Sequence, residues 1–556
     1  MRQMDFGSAW AKTAPDGSFG MSVAQHALDT MGAMEIVAHR FLGETEFAEI
    51  RTKSGIEPHA FLQFIAAVHD CGKLSPHFQQ KSPDLCEPLK AKGYTGKTSR
   101  DQRQQNHHSG IGALSLREWL QNQTPPTDKM TRSARRAWYA LIAGHHGAFP
   151  TPADSLGNGL ANRMYAEPAN WAHARLQFLD WVADQAGLTA DDRKQLPRIK
   201  WDAPSLATTT GLLIAADWLA SNPSNFPYTG RGIVDDQPAR LKDAQRKITL
   251  GGRWHPGPVT PETFAARFGL PPSAKPRPLQ RLALELAQQT ADADVQGGLF
   301  IIEEQTGGGK TEAALAMADI IGRAQGSYGL LYAQPTRVTS DAAFTRVADW
   351  ARRSQSNPDA QPVSTVLAHG KSSHNEEYQG IFGSGHPRQI FDETSPTSQN
   401  PHTALEATEW FRGPKTHLLA SIVVGTIDQL LFTVLRSKHL VLRHLGLHGK
   451  VVVIDEVHAA DPYMRVYLTR ALEWLGAYRI PVIALSATLP SPQRNELIHA
   501  YHRGRYGSLA TGDVSDDLAV PLSPGYPRIT AYLPPPRTPA DLEASQGAQP
   551  TSSTQA

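Results

Sequence analysis

From Ser22 to about Leu219, apolar residues recur at three- and four-residue spacing in MSVAQHALDTMGAMEIVAHRFL, FLQFIAAVHD, GIGALSLREWLQN, RRAWYALIAGHH, NWAHARLQFLDWVADQAGL and SLATTTGLLIAADWLAS. That period puts the apolar side chains on one face of a helix and predicts an all-α first domain uninterrupted by strands. Polar, Gly- and Pro-containing loops separate the helices, notably residues 81–106 and 149–168. The first loop, with Lys90, Lys92, Lys97, Arg100 and Arg103, is read as a solvated loop within reach of phosphates. After Asp217 the pattern breaks. SNPSNFPYTGRG and WHPGPVTPETFAARFGLPPSAKPRP are rich in proline and glycine and read as a linker. Beyond Leu279, the short β-rich runs GGLFIIEEQ, SYGLLYAQP, VSTVLAHG, SIVVGTI, KVVVIDE and PVIALSAT alternate with helices such as EAALAMADIIGRA and YMRVYLTRALEWLGAY. This alternation predicts a parallel, doubly wound α/β sheet with helices on both faces. The expected divisions are a helical domain over 1–222, a linker over 223–275, an α/β lobe over 276–505, and a tail of disordered composition over 506–556.

Composition narrows this picture only a little. A chain of 556 residues exceeds one core, so two or three domains are expected. A formal charge of +2 gives no global field for nucleic acid, and any such contact must come from local patches. Two cysteines, Cys71 and Cys86, exclude a disulfide framework or a cysteine-rich zinc site and suit a reducing cytosol. No apolar run approaches the roughly 20 residues that cross a bilayer, and MRQMDFGSAW has no leader pattern. A soluble, cytoplasmic protein without a membrane partner is expected.

Histidine is where the chemistry concentrates. In FLQFIAAVHDCGKLSPH an apolar helix runs directly into His69 and Asp70. An imidazole and a carboxylate side by side can each give a lone pair to a divalent cation, and the carboxylate can bridge two. Further ligands are available in His26, in the doublets His107–His108 and His145–His146, and in Asp217, each within or beside an apolar helical run. Histidine doublets among small residues are poor core material, because each buried imidazole needs partners for both nitrogens. The set resembles the HD phosphohydrolase superfamily, an all-helical metal-dependent fold whose members cut phosphoesters. Manganese, iron, cobalt, nickel or magnesium all suit such mixed ligands.

The α/β region carries a second chemistry. Phe300 to Glu304 leads into QTGGGKTE, which lacks the first glycine of the strict phosphate-loop spacing. Thr306, Gly307, Gly308 and Gly309 still let backbone amides face phosphates, with Lys310 for the β and γ groups and Thr311 for magnesium. In KVVVIDEVHAAD a buried strand delivers Asp455, suited to magnesium, and Glu456, suited to polarising water. Ser486, Ala487 and Thr488 end the next strand, and Gln280 lies upstream, placed to read adenine. These residues resemble the first RecA-like lobe of superfamily 2 DExH helicases, with ATP and magnesium as cofactors.

The two resemblances combine in one order. HDCGKLSPHFQ, AADWLASN, EQTGGGKTEAAL, AQPTRVTSDAAFTRV, VGTIDQLL and VVVIDEVHAADPYM are similar to blocks of the type I CRISPR-associated helicase-nuclease, closest to the type I-E form. The resemblance spans roughly residues 15 to 535. It implies an enzyme of antiviral defence that a crRNA-guided, Cascade-type surveillance complex recruits to the single-stranded DNA of an R-loop. Such an enzyme nicks that strand and degrades it 3′ to 5′ with ATP. Metal ligands implied are His26, His69, Asp70, His108, His145, His146 and Asp217. His108 is preferred over His107 because Gly112 and Ala113 follow at the family distance. Lys73 is implied as a catalytic lysine beside the metals, with His69, Asp70 and Glu456, and Ser221 as an outer ligand.

After SATLP the chain is expected to lack a second RecA-like lobe, leaving unwinding incomplete unless a separate chain supplies it. Nucleic-acid contacts are expected at Arg337 and Thr426, with Arg436, Lys438 and Arg443 read equally as a solvated helix face. Two other readings stand beside the nuclease: an HD phosphohydrolase acting on a nucleotide with a regulatory ATPase lobe, and a non-catalytic adaptor of the surveillance complex.

Overall fold

The computed structural model describes residues 4–96, 107–125, 127–150, 167–248, 250–293, 295–356, 363–368, 416–435, 437–507 and 525–534. Lys97, Arg100, Arg103, Arg436 and most of the expected tail lie outside these residues. The chain divides into two compact units. One comprises Met1–Arg253, Ala360–Val423 and Asp428–Gly449, and the other Trp254–Asp359, Val424–Ile427 and Lys450–Ala556.

The first unit opens with a two-stranded antiparallel sheet, β1 (Trp10–Thr13) and β2 (Phe19–Ser22), ahead of the region read as purely helical. The helices that position the candidate site are α1 (Val23–Phe41), α2 (Pro58–Val68), α3 (His108–Asn122), α4 (Arg132–Ala143) and α5 (Ala203–Ala220). Their starts follow side-chain capping: Ser22 accepts from the Gln25 N–H, Glu57 from Ala60, Thr131 from Ala134 and Asp202 from Ser205. Each cap satisfies an amide that the first turn leaves open. Helix α5 is buried on every side from Ala207 to Ala220, as its largely apolar run GLLIAADWLA requires, with Asp217 the charged residue within it.

The stretch 223–275, expected as a linker, is folded. It contains α6 (Gln237–Lys247), whose Arg240 clamps the buried Asp29 of α1 through Nε at 2.7 Å and Nη2 at 2.9 Å. A Cβ on Gly32 would lie 2.7 Å from Leu241 Cδ1, so the bare glycine lets α6 close on α1. Proline and glycine density concealed this helix because its surface is mostly polar. Leu440–Leu447 also departs from expectation: it groups with the first unit, packed so closely on α5 that a Cβ on Gly211 would lie 2.8 Å from the Val441 carbonyl oxygen.

All six strands predicted for the α/β region are present: β3 (Leu299–Glu303), β4 (Gly329–Gln334), β5 (Thr365–Ala368), β6 (Ile422–Thr426), β7 (Lys450–Ile454) and β8 (Val482–Ser486). The sheet order is β5-β6-β4-β7-β8-β3-β9, with β4, β7, β8 and β3 paired in parallel. Strand β9 (Arg528–Tyr532) lies within the expected tail and pairs antiparallel with β3. Helices α7 (Pro278–Asp292), α8 (Lys310–Ala324) and α9 (Arg337–Ser354) alternate with the first strands of this sheet.

Candidate metal and nucleotide sites

The metal-ligand candidates converge from five places. His26 comes from α1, His69 caps α2, and Asp70 follows it; His108 opens α3, His145 and His146 follow α4, and Asp217 lies in α5. Asp70 stands at the centre with one oxygen for each side. Its Oδ2 is 3.2 Å from His26 Nε2 and 3.3 Å from His69 Nε2; its Oδ1 is 3.2 Å from His108 Nε2 and 3.7 Å from His145 Nε2. Asp217 Oδ1 completes the first side, 3.3 Å from His26 Nε2 and 3.5 Å from His69 Nε2. His146 Nε2 is 3.0 Å from His108 Nε2 on the second. Two ligand groups therefore share one carboxylate: His26, His69, Asp70 and Asp217, and Asp70, His108 and His145. His107 stands apart from Asp70: exposed, it caps α3 by accepting from the Ser109 N–H, and its ring is grouped with His108 and His146.

Burial and second contacts fit these residues to cations. His69 Nδ1 lies 2.6 Å from the Ala66 carbonyl and His145 Nδ1 2.7 Å from that of Ile142. A carbonyl at Nδ1 selects the tautomer with its proton there and leaves the Nε2 lone pair facing inward. The buried His69 Nε2, His145 Nε2 and Asp70 Oδ1 have no hydrogen-bond partner among the described residues. Orphaned polar atoms of this kind are costly and point to an ion. Burial pushes His108 and His145 down to about 4, so both are neutral and able to ligate. Burial opposes ionisation of Asp70 as well, but His69, Lys73 and the other histidines hold it well below the usual carboxylate range. His69, despite burial, is raised to about 10 by Asp70 and Asp217. A divalent cation supplies the same compensation without that proton.

Lys73 and Ser221 lie around the ligands. Lys73, fully buried, reaches Asp70 Oδ2 at 2.8 Å and the Ala11 carbonyl at 3.3 Å. Ser221 donates to Asp217 Oδ1 at 2.9 Å and accepts from Lys12 Nζ at 2.9 Å. Lys12 escaped the sequence reading: it sits on a four-residue strand, and nothing local to WAKT signals contact with a residue 209 positions away.

The second unit assembles the phosphate loop between β3 and α8. Gly307 and Gly309 have φ of 83° and 93°, the left-handed region that a glycine adopts without strain. Lys310 Nζ donates to the Glu304 carbonyl at 2.6 Å. Gln280, expected to read adenine, uses its amide within the chain, accepting from the Arg277 N–H at 2.9 Å and donating to the Gly309 carbonyl at 3.3 Å. Arg277, also unread in the sequence, donates to the Gly307 carbonyl. Asp455 accepts from Tyr332 and Gln334, and Glu456 follows it in a left-handed conformation with φ of 49°. His458 Nδ1 is 3.1 Å from Ser486 Oγ, linking the DEVH run to SAT. Beyond SAT, the Leu489 N–H and Arg494 bind the buried Glu303 at the end of β3, and Arg528 of β9 joins them at 2.7 Å. Thr306 is exposed on this loop, and Thr311 is partly exposed at the start of α8. Arg337 is exposed at the start of α9, whereas the side chain of Thr426, expected at the strand, is buried at the end of β6. Arg443 turns to Gln429 at 3.0 Å.

Comparison with known proteins agrees with both halves. Residues 10–226 match the family described as Cas3, HD domain, and residues 277–497 the DEAD/DEAH box helicase family. The chain is 33% identical to a CRISPR-associated nuclease/helicase Cas3 of Streptococcus thermophilus, over 89% of this chain and 53% of that protein. It is 30% identical to a CRISPR-associated endonuclease/helicase Cas3 of Thermus thermophilus, over 88% and 50%. It superposes on T. fusca Cas3-AMPPNP with a TM-score of 0.74 and 28% identity, covering 95% of this chain and 55% of the other. A chain in a structure titled "CRISPR RNA-guided surveillance complex, pre-nicking" gives a TM-score of 0.61 at 28% identity, covering 90% and 50%. The chain thus spans about half the length of the curated relatives it matches. Among the described residues no helix is long and apolar enough to cross a membrane. The chain thus carries a Cas3 HD domain followed by a DEAD/DEAH box helicase domain, and is similar to about half the length of proteins named CRISPR-associated nuclease/helicase Cas3.

Proposed function

We propose that this chain is a metal-dependent nuclease for single-stranded DNA, joined to an ATP-binding helicase lobe and acting in CRISPR interference. The observation that carries the reading is the central Asp70, whose two oxygens face separate histidine groups. Two divalent cations in such a site clamp the attacking and leaving oxygens of an in-line displacement and lower the pKa of bound water. His26, His69, Asp70 and Asp217 would hold one, and Asp70, His108, His145 and His146 the other. Lys73, paired with Asp70 Oδ2, would hold that carboxylate in orientation. Ser221 and Lys12 orient Asp217 from outside.

In the helicase lobe, Lys310, Thr311 and the glycine loop would bind the nucleotide phosphates, Asp455 would hold magnesium, and Glu456 would orient water. Arg337 is the accessible candidate for DNA phosphate. The partner reading, a crRNA-guided surveillance complex presenting an R-loop strand, rests on the similar chain in the pre-nicking complex. A second RecA-like lobe, needed for processive unwinding, would come from outside residues 276–505.

The test is cleavage of circular single-stranded DNA with manganese, cobalt or nickel, with and without ATP, by the wild type and by a His69→Ala, Asp70→Ala double variant. Cleavage by the wild type alone, independent of ATP, is expected. Absence of cleavage with every metal refutes the nuclease reading, and hydrolysis of free nucleotides in its place identifies a nucleotide phosphohydrolase.

A further inference from the structure

The DExH aspartate is held from the neighbouring strand. Asp455 directly follows β7, which pairs in parallel with β4 in the register Tyr332↔Val453 and Ala333↔Ile454. Tyr332 and Gln334 are two residues apart on β4 and so share one face. Both donate to the same carboxylate oxygen, Asp455 Oδ2: the tyrosine hydroxyl at 2.8 Å and the glutamine Nε2 at 2.9 Å. Asp455 Oδ1 accepts, among the described residues, a local contact from the N–H of Glu456 at 2.9 Å. The carboxylate is thereby fixed in one orientation.

Tyr332 is an unusual choice for its position. It is fully buried in a strand whose other central residues, Leu330, Leu331 and Ala333, are also fully buried and apolar. A phenol hydroxyl there is costly unless bonded, and an apolar side chain would fill the space without that cost. Two side chains of β4 therefore hold the carboxylate that the lobe would offer to magnesium.

We propose that Tyr332, assisted by Gln334, is a positioning residue for nucleotide-bound magnesium, orienting Asp455 toward the cation. The inference rests on the nucleotide-binding reading of this lobe. Because Tyr332 acts through Asp455, its removal should change how magnesium supports nucleotide binding and leave the phosphate loop itself intact.

The experiment measures binding of a fluorescent ATP analogue to the full chain across a magnesium titration and in EDTA, for wild type, Tyr332→Phe, Gln334→Leu and Lys310→Ala. Tyr332→Phe removes one oxygen and keeps the ring. Loss of an outer contact to a metal ligand typically weakens metal affinity about 10- to 100-fold. The magnesium midpoint of Tyr332→Phe is expected to rise about tenfold, with affinity in EDTA within about twofold of wild type. Gln334→Leu should shift the midpoint in the same direction and serves if the phenylalanine variant does not fold. An unchanged midpoint in a folded variant overturns the inference, and a lowered Tm with that midpoint unchanged assigns Tyr332 to stability alone. If the wild type shows no magnesium-dependent binding, or Lys310→Ala binds like wild type, the nucleotide reading itself fails and takes the inference with it.

Discussion

Replacing Gly72 by alanine tests whether the geometry around Asp70 depends on one close backbone approach. Gly72 lies in the turn Cys71–Lys73, immediately after Asp70, and packs against the first turn of α3. A Cβ there would fall 1.9 Å from the His108 carbonyl oxygen, 2.5 Å from the Gly112 nitrogen and 2.9 Å from the His108 carbonyl carbon. All three atoms are backbone, so no side-chain rotation relieves the clash. An ordinary contact needs about 3.5 Å, and turn and helix must separate by roughly 1.5 Å. The helix that moves carries His108, whose Nε2 sits 3.2 Å from Asp70 Oδ1. Overpacking of this kind costs about 1–3 kcal/mol, and a misplacement of about 1 Å at a reacting site costs on the order of a hundredfold in rate. Gly112→Ala is the matched control: its Cβ would meet the Gly72 nitrogen at 3.1 Å and Cys71 Sγ at 3.2 Å, a crowding of only a few tenths of an ångström. Thermal unfolding, calorimetric titration with manganese and cleavage of circular single-stranded DNA should show Gly72→Ala losing stability, metal affinity and rate well beyond Gly112→Ala. A Gly72→Ala variant within twofold of wild type in manganese affinity and rate would refute the reasoning.

Lys12→Ala and Ser221→Ala should each weaken manganese binding about tenfold, and the double variant should lose little more, because both act on Asp217 through one chain of contacts; additive losses by calorimetry would show independent roles. Manganese should raise the Tm of the wild type, with about 2.7 kcal/mol of stabilisation at a hundredfold excess over Kd, and leave that of the His69→Ala, Asp70→Ala variant unchanged in a fluorimetric melt. Burial alone would raise the pKa of Glu303, but Arg528, Arg494 and the Leu489 N–H lower it in the folded chain. Its stabilising contribution is therefore complete above the unfolded value near 4.5 and is lost as pH falls through the lower folded value. Melts between pH 6 and pH 3 should show Glu303→Gln starting lower, since Arg494 loses its buried partner at a cost of about 3–5 kcal/mol, and then declining less steeply with acid than wild type; parallel acid limbs would exclude the linkage.

How much of this was legible in the chain follows from the range of each interaction. Helices of the first unit and the six predicted strands were readable because their apolar periods and caps are local, and a buried parallel strand such as KVVVI needs no distant information. The clustering of histidines and carboxylates at helix ends showed that a metal chemistry was available, and GGGKT and DEVH showed the same for a nucleotide. Other features came only from tertiary structure. Helix Gln237–Lys247 hid inside a Pro- and Gly-rich stretch because its anchor is the pairing of Arg240 with Asp29, 211 positions away. Strand β9 was missed because its partner β3 lies more than two hundred residues earlier and its own residues are half exposed. Lys12 and Tyr332 looked like ordinary strand residues; their polar ends acquire meaning only when packing sets them beside Ser221 and Asp455. Local sequence determined most of the elements and which ligand chemistries the chain carries. Packing decided which oxygen of Asp70 faces which histidines and which strand holds Asp455, because those contacts join residues whose separation along the chain no periodicity records.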